Sequence, residues 1–494
     1  MGELMKAVQE RWPTAAAFYA ERDDRTVRLV RDLPQYASRQ VEIVLDPREV
    51  DSPTGQRLLV TAANLTSRWA RRVRIVSVDA ELVPALRRDG SAGLRERVLK
   101  EMWLADPFGD FQWTTGFGAG GCGDTRPLRL VLGRGQGVPA RTLQPDDFVV
   151  HATAWTAMGR RGGVLPGRFG APAALPAAAL AASLGVADLF KRAIGHPHTR
   201  WLPGFAWSTW SQQFIARPFD DVPWLDPQVD DTVPWSRMLI AGVGAIGSAL
   251  AYFASLGSPE AGVCLLDRDH VEASNLNRSP LFTVEHVLRG MPKTEAVARY
   301  LAADGLRTTI LSGTWDELTA AVRERRFECW VSLTNEAGAW AIVPFLQPPS
   351  VVHGTTTSGW GFGVGRHIPG LDDCTYCRMP RPKAEFRGPC ATGDISSKPA
   401  TQVRASLPFL SAASAAQALA ELWKVRSAEV EQLPNDVSAD LAYGLPGIVS
   451  LRRRAKRGCP GCRAAAVSRT GHALADRGPR DLDRSEAVLI APPP

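Results

Sequence analysis

The chain has 494 residues, of which 45% are hydrophobic, so it is long enough for two or three domains and is not mainly disordered. No apolar run reaches the ~20 residues needed to cross a bilayer, and the start lacks a signal peptide's apolar core, so we expect a cytoplasmic protein without membrane contact. The net charge of +7 comes from arginines spread along the whole chain, which favours a solvated basic surface over nucleic-acid binding.

The first two hundred residues are predicted to hold an α/β unit. Gln56–Leu65 followed by Arg72–Asp79 has the rhythm of strand, helix, strand, and Thr61–Asn64 lies where a phosphate loop would be. Glycines are missing there, so Cβ atoms would block the approach of phosphate. Residues 171–191 indicate a helix of small residues that is similar in character to residues 407–424. We therefore predict that residues near 30–205 are a degenerate copy of a later nucleotide domain; the alternative is an unrelated α/β domain with coincidental patterning.

Between the halves, the segment from Trp201 to Trp235 is rich in Trp, Pro and Asp. Its tryptophans are predicted to pack as an ordered clasp between the halves: Trp207, Trp210, Trp224 and Trp235.

The strongest chemical signal starts at residue 238. An apolar run, Met238–Ala241, precedes a glycine turn, and a second strand ends in Asp267. Glycines let backbone amides approach phosphate, and an acid at that strand end can accept hydrogen bonds from ribose. A dinucleotide enzyme or a glycine-rich structural turn would share these features. Three donors downstream suit a triphosphate better: Asn277, Arg278 and Lys293.

Two further segments, Asp267–Arg278 and Gly290–Lys293, resemble in order and spacing the signatures of ubiquitin-activating enzymes and their bacterial relatives, the adenylyltransferases of ThiF and MoeB type. The resemblance implies that ATP and Mg2+ are used to adenylate the C-terminal carboxylate of a small ubiquitin-like β-grasp protein. It also implies the site: Gly242, Gly244, Ala245 and Gly247 form the loop, Asp267 holds ribose, and Asn275, Asn277, Arg278 and Lys293 bind phosphates.

Three positions refine this resemblance. Tyr36–Gln40 is similar to the family's tyrosine-x-arginine-glutamine segment, which implies that Arg39 reaches the ATP phosphates of the other half; the alternative is an exposed arginine on a connecting segment. Asn335 stands where the family has an aspartate that organises magnesium, and its neutral carbonyl binds a hard cation less strongly. Ser279 replaces the usual glutamine after the arginine.

Four of the eight cysteines form two Cys-x-x-Cys pairs: Cys374 with Cys377, and Cys459 with Cys462. Two such knuckles supply the four sulfur ligands of structural Zn2+, which we favour over redox dithiols or unbound cysteines. The family carries the same two pairs downstream of its ATP site.

The remaining cysteines differ in setting. Cys264 and Cys329 lie in apolar strand patterns and are predicted to be buried and unreactive, and Cys122 lies in a glycine-rich loop of the first half. Cys390 lies in a polar segment near cations and matches the family's crossing loop over the ATP site. We therefore predict that Cys390 accepts the acyl group as a thioester, the alternative being an ordinary surface cysteine.

Together these features predict an α/β protein with two tandem Rossmann-like adenylation domains and a structural zinc site. The expected division is an inactive domain at 1–205, a linker at 206–235, an active domain at 236–462 and a flexible tail at 463–494. The expected assembly is a monomeric pseudo-dimer or a homodimer. The expected function is that of an activating enzyme that passes a ubiquitin-like protein to a conjugating enzyme, with a role in antiphage defence implied by resemblance alone. Alternatives are ribosomal-peptide tailoring, sulfur-carrier activation and a non-catalytic binding scaffold.

Overall fold

The computed structural model describes residues 2–24, 39–87, 91, 93–116, 126–139, 142–166, 172–195, 204–215, 226–229, 232–234, 237–259, 262–303, 306–311, 327–334, 343–357, 360–378, 407–441, 447–465 and 488–490. Within these ranges, every helix is too short or insufficiently apolar to span a lipid bilayer.

The first sheet has eight strands. They are β1 (Gln40–Leu45), β2 (Arg72–Val76), β3 (Asp110–Thr114), β4 (Leu128–Leu132), β5 (Phe148–Thr153), β6 (Thr156–Arg161), β7 (Gly204–Ser208) and β8 (Phe214–Ile215). Their order across the sheet is β3-β2-β1-β4-β5-β6-β7-β8. Strands from β3 to β5 pair in parallel, and β6, β7 and β8 continue the sheet antiparallel.

The second sheet repeats this plan. A short parallel pair, β9 (Thr232–Val233) with β11 (Ser258–Pro259), is separate from it. The sheet itself contains β10 (Met238–Ala241), β12 (Val263–Leu266), β13 (Thr308–Leu311), β14 (Cys329–Ser332), β15 (Val351–Thr356), β16 (Gly361–His367), β17 (Asp436–Asp440), β18 (Gly447–Leu451) and β19 (Val488–Ile490). Read from the other edge, the order β13-β12-β10-β14-β15-β16-β17-β18 matches the first sheet strand for strand, and β19 adds an antiparallel strand beside β13. The predicted tandem repeat of Rossmann-like sheets is therefore present.

Ten helices accompany the described strands. They are α1 (Gly2–Arg11), α2 (Ala15–Arg22), α3 (Pro53–Ser67), α4 (Leu94–Ala105), α5 (Leu175–Ile194), α6 (Ala245–Ala254), α7 (Val284–Leu288), α8 (Lys293–Ala302), α9 (Thr375–Arg378) and α10 (Pro408–Val425). Short 3-10 turns lie at Pro47–Glu49, Pro84–Leu86, Ala273–Asn275 and Val343–Leu346.

The two halves meet through buried helices. α5 packs against α10 and α3, and α10 also packs against α6. The small residues of α5 and α10 allow close approach, and nearly all of both helices is buried. These are the two small-residue helices that the sequence predicted to correspond.

The prediction that a strand begins at Gln56 and leads to a loop at Thr61–Asn64 was wrong, because this whole segment lies inside α3. The strand predicted from Arg72 is present as β2. The Ser52 hydroxyl caps α3 by accepting a hydrogen bond from the Gly55 amide, and Pro53 occupies the first turn. Since α3 is buried on all sides between the halves, its apolar residues form no one-sided stripe and imitate a strand. The counterpart of the phosphate loop is therefore residues 46–52, and Thr61–Asn64 is helix interior.

The clasp prediction holds for the two tryptophans in the described part. The Trp207 ring stacks on Phe362 of the second sheet at a centroid distance of 6.0 Å. Trp210 lies 4.9 Å from Trp155, which lies 5.7 Å from Trp423 of α10. Trp224 and Trp235 lie outside the described residues.

The segment predicted as a linker from residue 206 starts inside β7, and β8 extends the first sheet to Ile215. β7 and β8 pair edge to edge with the first sheet. The domain limits stay predictions. Val488–Ile490 lies in the predicted tail and pairs with β13.

Candidate adenylation site and metal cluster

The glycine turn after β10 forms a tight loop that opens α6. Gly242 has φ +89°, and a Cβ there would lie 2.7 Å from the backbone of Leu333. A Cβ on Gly247 would lie 2.2 Å from the Gly242 carbonyl oxygen, so α6 can approach the strand only with glycine there. Gly244, the residue before α6, has open space at its Cβ position and makes no side-chain cap. The loop therefore leaves the start of α6 accessible, with Ala245 as its first residue.

The predicted ribose acid also shapes this loop. The Asp267 carboxylate accepts a hydrogen bond from the Val243 amide at 2.7 Å, and the Gly242 amide donates to Leu266 at 2.8 Å. Asp267 thus lies directly beside the glycine turn, as a ribose-binding residue must.

The two downstream motifs meet at one place. Val271 donates its amide hydrogen to Met291, and the Lys293 amide donates to the Asp269 carbonyl at 2.9 Å. The Lys293 ammonium lies 2.8 Å from the Asp269 carboxylate. Burial raises the pKa of Asp269, but the hydrogen bond and charge of Lys293 outweigh this and lower it overall. The structure therefore brings Lys293 to the segment that follows Asp267.

Three of the predicted phosphate donors lie on or just after the 3-10 turn at Ala273–Asn275. Asn275 closes a capping box, because its side-chain oxygen accepts the Glu272 amide at 2.9 Å. Asn277 is fully buried, and Arg278 is 7% exposed and donates through Nη1 to the Ser274 carbonyl at 2.7 Å. These bonds hold the side chains of Asn275 and Arg278 against the local backbone.

Other predicted site residues are placed differently. Arg39 lies immediately before β1 of the first sheet, whereas the glycine loop follows β10 of the second. Asn335, Cys390 and Cys122 lie outside the described residues. Their roles, and that of Arg39, stay predictions.

The four knuckle cysteines come together. The sulfur atoms of Cys374, Cys377, Cys459 and Cys462 all lie within 4.8 Å of one another. Measured separations are 3.8 Å between Cys374 and Cys377, 3.7 Å between Cys374 and Cys459, and 3.5 Å between Cys377 and Cys462. Zinc–sulfur bonds of about 2.3 Å in a tetrahedron require sulfur separations of about 3.8 Å. The cluster therefore fits one zinc ion.

The surroundings of the cluster support this fit. A Cβ on Gly461 would lie 2.8 Å from the Cys374 sulfur, so glycine is needed between the second pair. Burial raises the pKa of Cys374, and burial also raises that of Cys377 to about 12. A divalent cation would reverse this effect, since it binds the thiolate form.

Acidic residues beside the first knuckle were missed by the sequence analysis. Asp372 pairs with Arg366 and Arg452. Asp373 pairs with Arg378, which also bonds Asp436 at 2.9 Å. These pairs link the first knuckle to the strands and to the segment before the second knuckle. The aspartate pair directly before Cys374 was the available signal.

The prediction for two strand cysteines is confirmed. Cys264 on β12 and Cys329 on β14 are buried, and burial raises the pKa of Cys329 to about 11.

Comparison with known proteins supports the resemblance drawn from the motifs. Residues 226–306, which contain the glycine loop, Asp267, the donor turn and Lys293, match the ThiF family. This segment is a ThiF-family domain. The sulfur carrier protein ThiS adenylyltransferase of Bacillus subtilis (strain 168) is 29% identical over 161 residues, which is 29% of this chain. The match spans 44% of that relative's length. The predicted relationship of the ThiF domain to adenylyltransferases of ThiF and MoeB type is confirmed.

This chain is also similar to solved structures of Escherichia coli MccB. The MccB structure with ATP is 18% identical, covers 47% of this chain and 67% of that chain, and has a TM-score of 0.36. The structure of MccB alone is 18% identical, covers 51% and 68%, and has a TM-score of 0.37. These TM-scores are low, so the assignment depends on the family match and the motifs.

Proposed function

We propose that the chain is an ATP-dependent adenylyltransferase that activates the C-terminal carboxylate of a small ubiquitin-like β-grasp protein. One observation carries the proposal: the hydrogen bonds from the Val243 amide to Asp267 and from the Lys293 ammonium to Asp269 gather three separate motifs beside one accessible helix start. The curated relative, whose name states that it adenylates a sulfur carrier protein, supports this class of substrate.

The proposed reaction needs positioning and charge neutralisation. A carboxylate oxygen of the substrate attacks the α-phosphorus of ATP, the bond from that phosphorus to the bridging oxygen breaks, and pyrophosphate leaves with the electron pair. Asp267 holds the ribose, and the loop amides with Asn275, Asn277, Arg278 and Lys293 hold the phosphates. Mg2+ is expected beside them to neutralise phosphate charge, with Asn335 as a weak neutral ligand. Arg39 is proposed to add a second cation from the other half.

A second step is proposed at Cys390. Its thiolate attacks the acyl carbon of the adenylate, AMP leaves, and a thioester forms that a conjugating enzyme can take over. Zn2+ at the four-cysteine cluster is proposed as structural. A role in antiphage defence and a cytoplasmic location complete the proposal and depend on resemblance and sequence alone.

Sulfur-carrier activation is the second candidate, favoured by the name of the curated relative. It shares the adenylation step but needs no thioester at Cys390. A substrate protein that is converted to a thiocarboxylate, with no adduct on the enzyme, would select it.

ATP–pyrophosphate exchange tests the first step. Arg278→Ala should lower ATP affinity by roughly 10- to 150-fold, because a charged hydrogen bond is worth about 1.5–3 kcal/mol. Arg289→Ala is the matched control, since the Arg289 side chain is 55% exposed and pairs with nearby Glu285. Equal exchange by the parent and both variants would refute the assigned site.

A non-reducing gel tests the second step. Cys390→Ala should retain exchange while losing a thiol-sensitive adduct with the substrate protein. An adduct that persists in this variant and vanishes in Cys122→Ala would move the nucleophile to the first half. If the parent and both variants catalyse exchange but form no adduct, the enzyme stops at adenylation.

A further inference from the structure

One arginine of the first half contacts the donor turn of the second half. Arg68 follows the last residue of α3 and is 1% exposed. Its Nη1 donates to the carbonyl oxygens of Leu276 at 2.7 Å and Phe282 at 3.2 Å, and its Nη2 donates to that of Pro280. A guanidinium presents its donors in a rigid fork, so three carbonyls along one short loop are held in a fixed relation.

A second side chain reinforces this contact. Asn64, one turn earlier on α3, accepts a hydrogen bond from Arg68 Nε at 2.8 Å and donates to the Pro280 carbonyl at 3.1 Å. Burial lowers the pKa of Arg68 to about 9, so the group stays protonated at neutral pH. The cation is compensated mainly by backbone carbonyl dipoles, which ties its stability to the shape of the loop.

The loop that Arg68 holds carries the proposed phosphate ligands. Leu276 lies between Asn275 and Asn277, and Arg278 lies between Leu276 and Pro280. The backbone on both sides of Asn277 and Arg278 is therefore fixed from the other half of the chain.

The equivalent position of the second half carries a different kind of side chain. The residue that follows α6, in the place that Arg68 has after α3, is Ser255, whose hydroxyl bonds the Tyr252 carbonyl within its own helix. The repeat therefore has a cation at this position in the first half only.

We propose that Arg68 is a positioning residue that fixes the Asn277–Arg278 turn for ATP binding, so that the first half takes part in the reaction without holding nucleotide. The inference rests on the proposed function. It does not require Arg68 to touch ATP.

The chain offers a matched control. Arg57 lies on the same helix, is 2% exposed, and donates through Nε to the Leu256 carbonyl of the second half at 3.0 Å. Leu256 lies past the end of α6 that is distant from the glycine loop. Arg57→Met and Arg68→Met thus remove the same kind of buried bond between the halves at two different places.

The experiment measures the Kd of ATP by calorimetry for the full chain, together with the unfolding temperature. Arg68→Met should weaken ATP binding at least tenfold, Arg68→Lys should recover part of this loss, and Arg57→Met should stay within twofold of the parent. Hydrogen exchange should speed up at the amides of residues 277–279, 281 and 282 in Arg68→Lys but not in Arg57→Met. Equal ATP affinity in the parent and Arg68→Met would overturn the proposal, and so would equal losses in both methionine variants.

Two further outcomes are distinguished. If Arg68→Met does not fold, Arg68→Lys and Asn64→Ala decide, since each must weaken ATP binding at least threefold; unchanged affinity in both would overturn the proposal. If the parent itself does not bind ATP, or if Arg278→Ala binds as tightly as the parent, the proposed function fails first, whatever Arg68 does.

Discussion

The two halves differ at the segments that join β1 to α3 and β10 to α6. After β10, the loop turns at Gly242, Gly244 has open space at its Cβ position, and α6 begins without a side-chain cap. After β1, the Asp46 carboxylate accepts the amides of Arg48 at 3.0 Å and Gly137 at 3.2 Å, and Ser52 caps α3. The same fold therefore leaves one helix start open to a ligand and closes the other with its own side chains.

Acidic groups strengthen this difference. Glu49 is 1% exposed beside the capped helix, and burial raises the pKa of its carboxyl. A nucleotide phosphate there would meet carboxyl groups and a filled cap. The first half therefore keeps the strand order of the second half, but its own side chains fill the place that corresponds to the phosphate loop.

The described four-cysteine cluster lies in the second half. Removal of its metal should therefore have the largest effect on folding, and that effect should be confined to the second half. Zinc bound by four thiolates contributes about 10 kcal/mol or more in small zinc peptides. Chelation, or Cys462→Ser, should release one zinc equivalent and expose the amides of β17 and β18 to hydrogen exchange, while β5 to β7 of the first sheet keep their protection. Metal analysis with exchange measurements checks this. Protein purified without added zinc that is metal-free and fully folded would contradict it.

Two glycine substitutions test the open loop between β10 and α6. Gly242→Ala should destabilise the fold by about 2–4 kcal/mol, because its positive φ and the adjacent Leu333 backbone exclude a Cβ. Gly244→Ala, with nothing within 4 Å of the added atom, should leave the free energy of unfolding within about 1 kcal/mol of the parent but weaken ATP binding. Denaturant unfolding and calorimetry separate the two effects. Equal stability losses would mean that the loop geometry is assigned wrongly.

The capped start of α3 predicts a smaller effect, which concerns stability and not ATP binding. Ser52→Ala should lower the free energy of unfolding by about 1 kcal/mol through loss of the α3 cap. ATP affinity should not change, because this helix start is not proposed to hold nucleotide. A clear loss of ATP affinity without further destabilisation would break the comparison between the loops.

The smallest effect concerns the Asp269–Lys293 pair. Lys293 lowers the pKa of Asp269 in the folded state, so the pair stabilises the fold above about pH 4 and this contribution is lost as the pH falls further. The Asp269 side chain is 59% exposed, and solvent screening limits its contribution to below about 1 kcal/mol. Asp269→Asn should therefore be slightly less stable than the parent at pH 7, and the difference should disappear in acid. A difference that grows in acid would contradict this sign.

Local patterns predicted the open half well. The run from Met238 to Asp267 specifies its strand, turn and helix within thirty residues, and the cysteine spacings specify the cluster. The closed half was predicted in outline, but the part of α3 from Gln56 was assigned as a strand and a loop because burial on all sides removes helical periodicity. Arg68 could not be found from spacing, since its partner Leu276 is 208 residues away. Asp269 was passed over because its role depends on Lys293 in a separate motif.

The two halves share a hydrophobic core, and this limits how they can evolve. A single hydrophobic cluster includes Ile43 of the first sheet, Leu184 and Phe409 of the central helices, and Ile240 of the second sheet. Neither half can lose its partner without leaving a large apolar face in water. A gene split near the junction would therefore give two chains that must be produced together. Selection can therefore retain the first half for the apolar surface that it covers, whether or not it binds a ligand of its own.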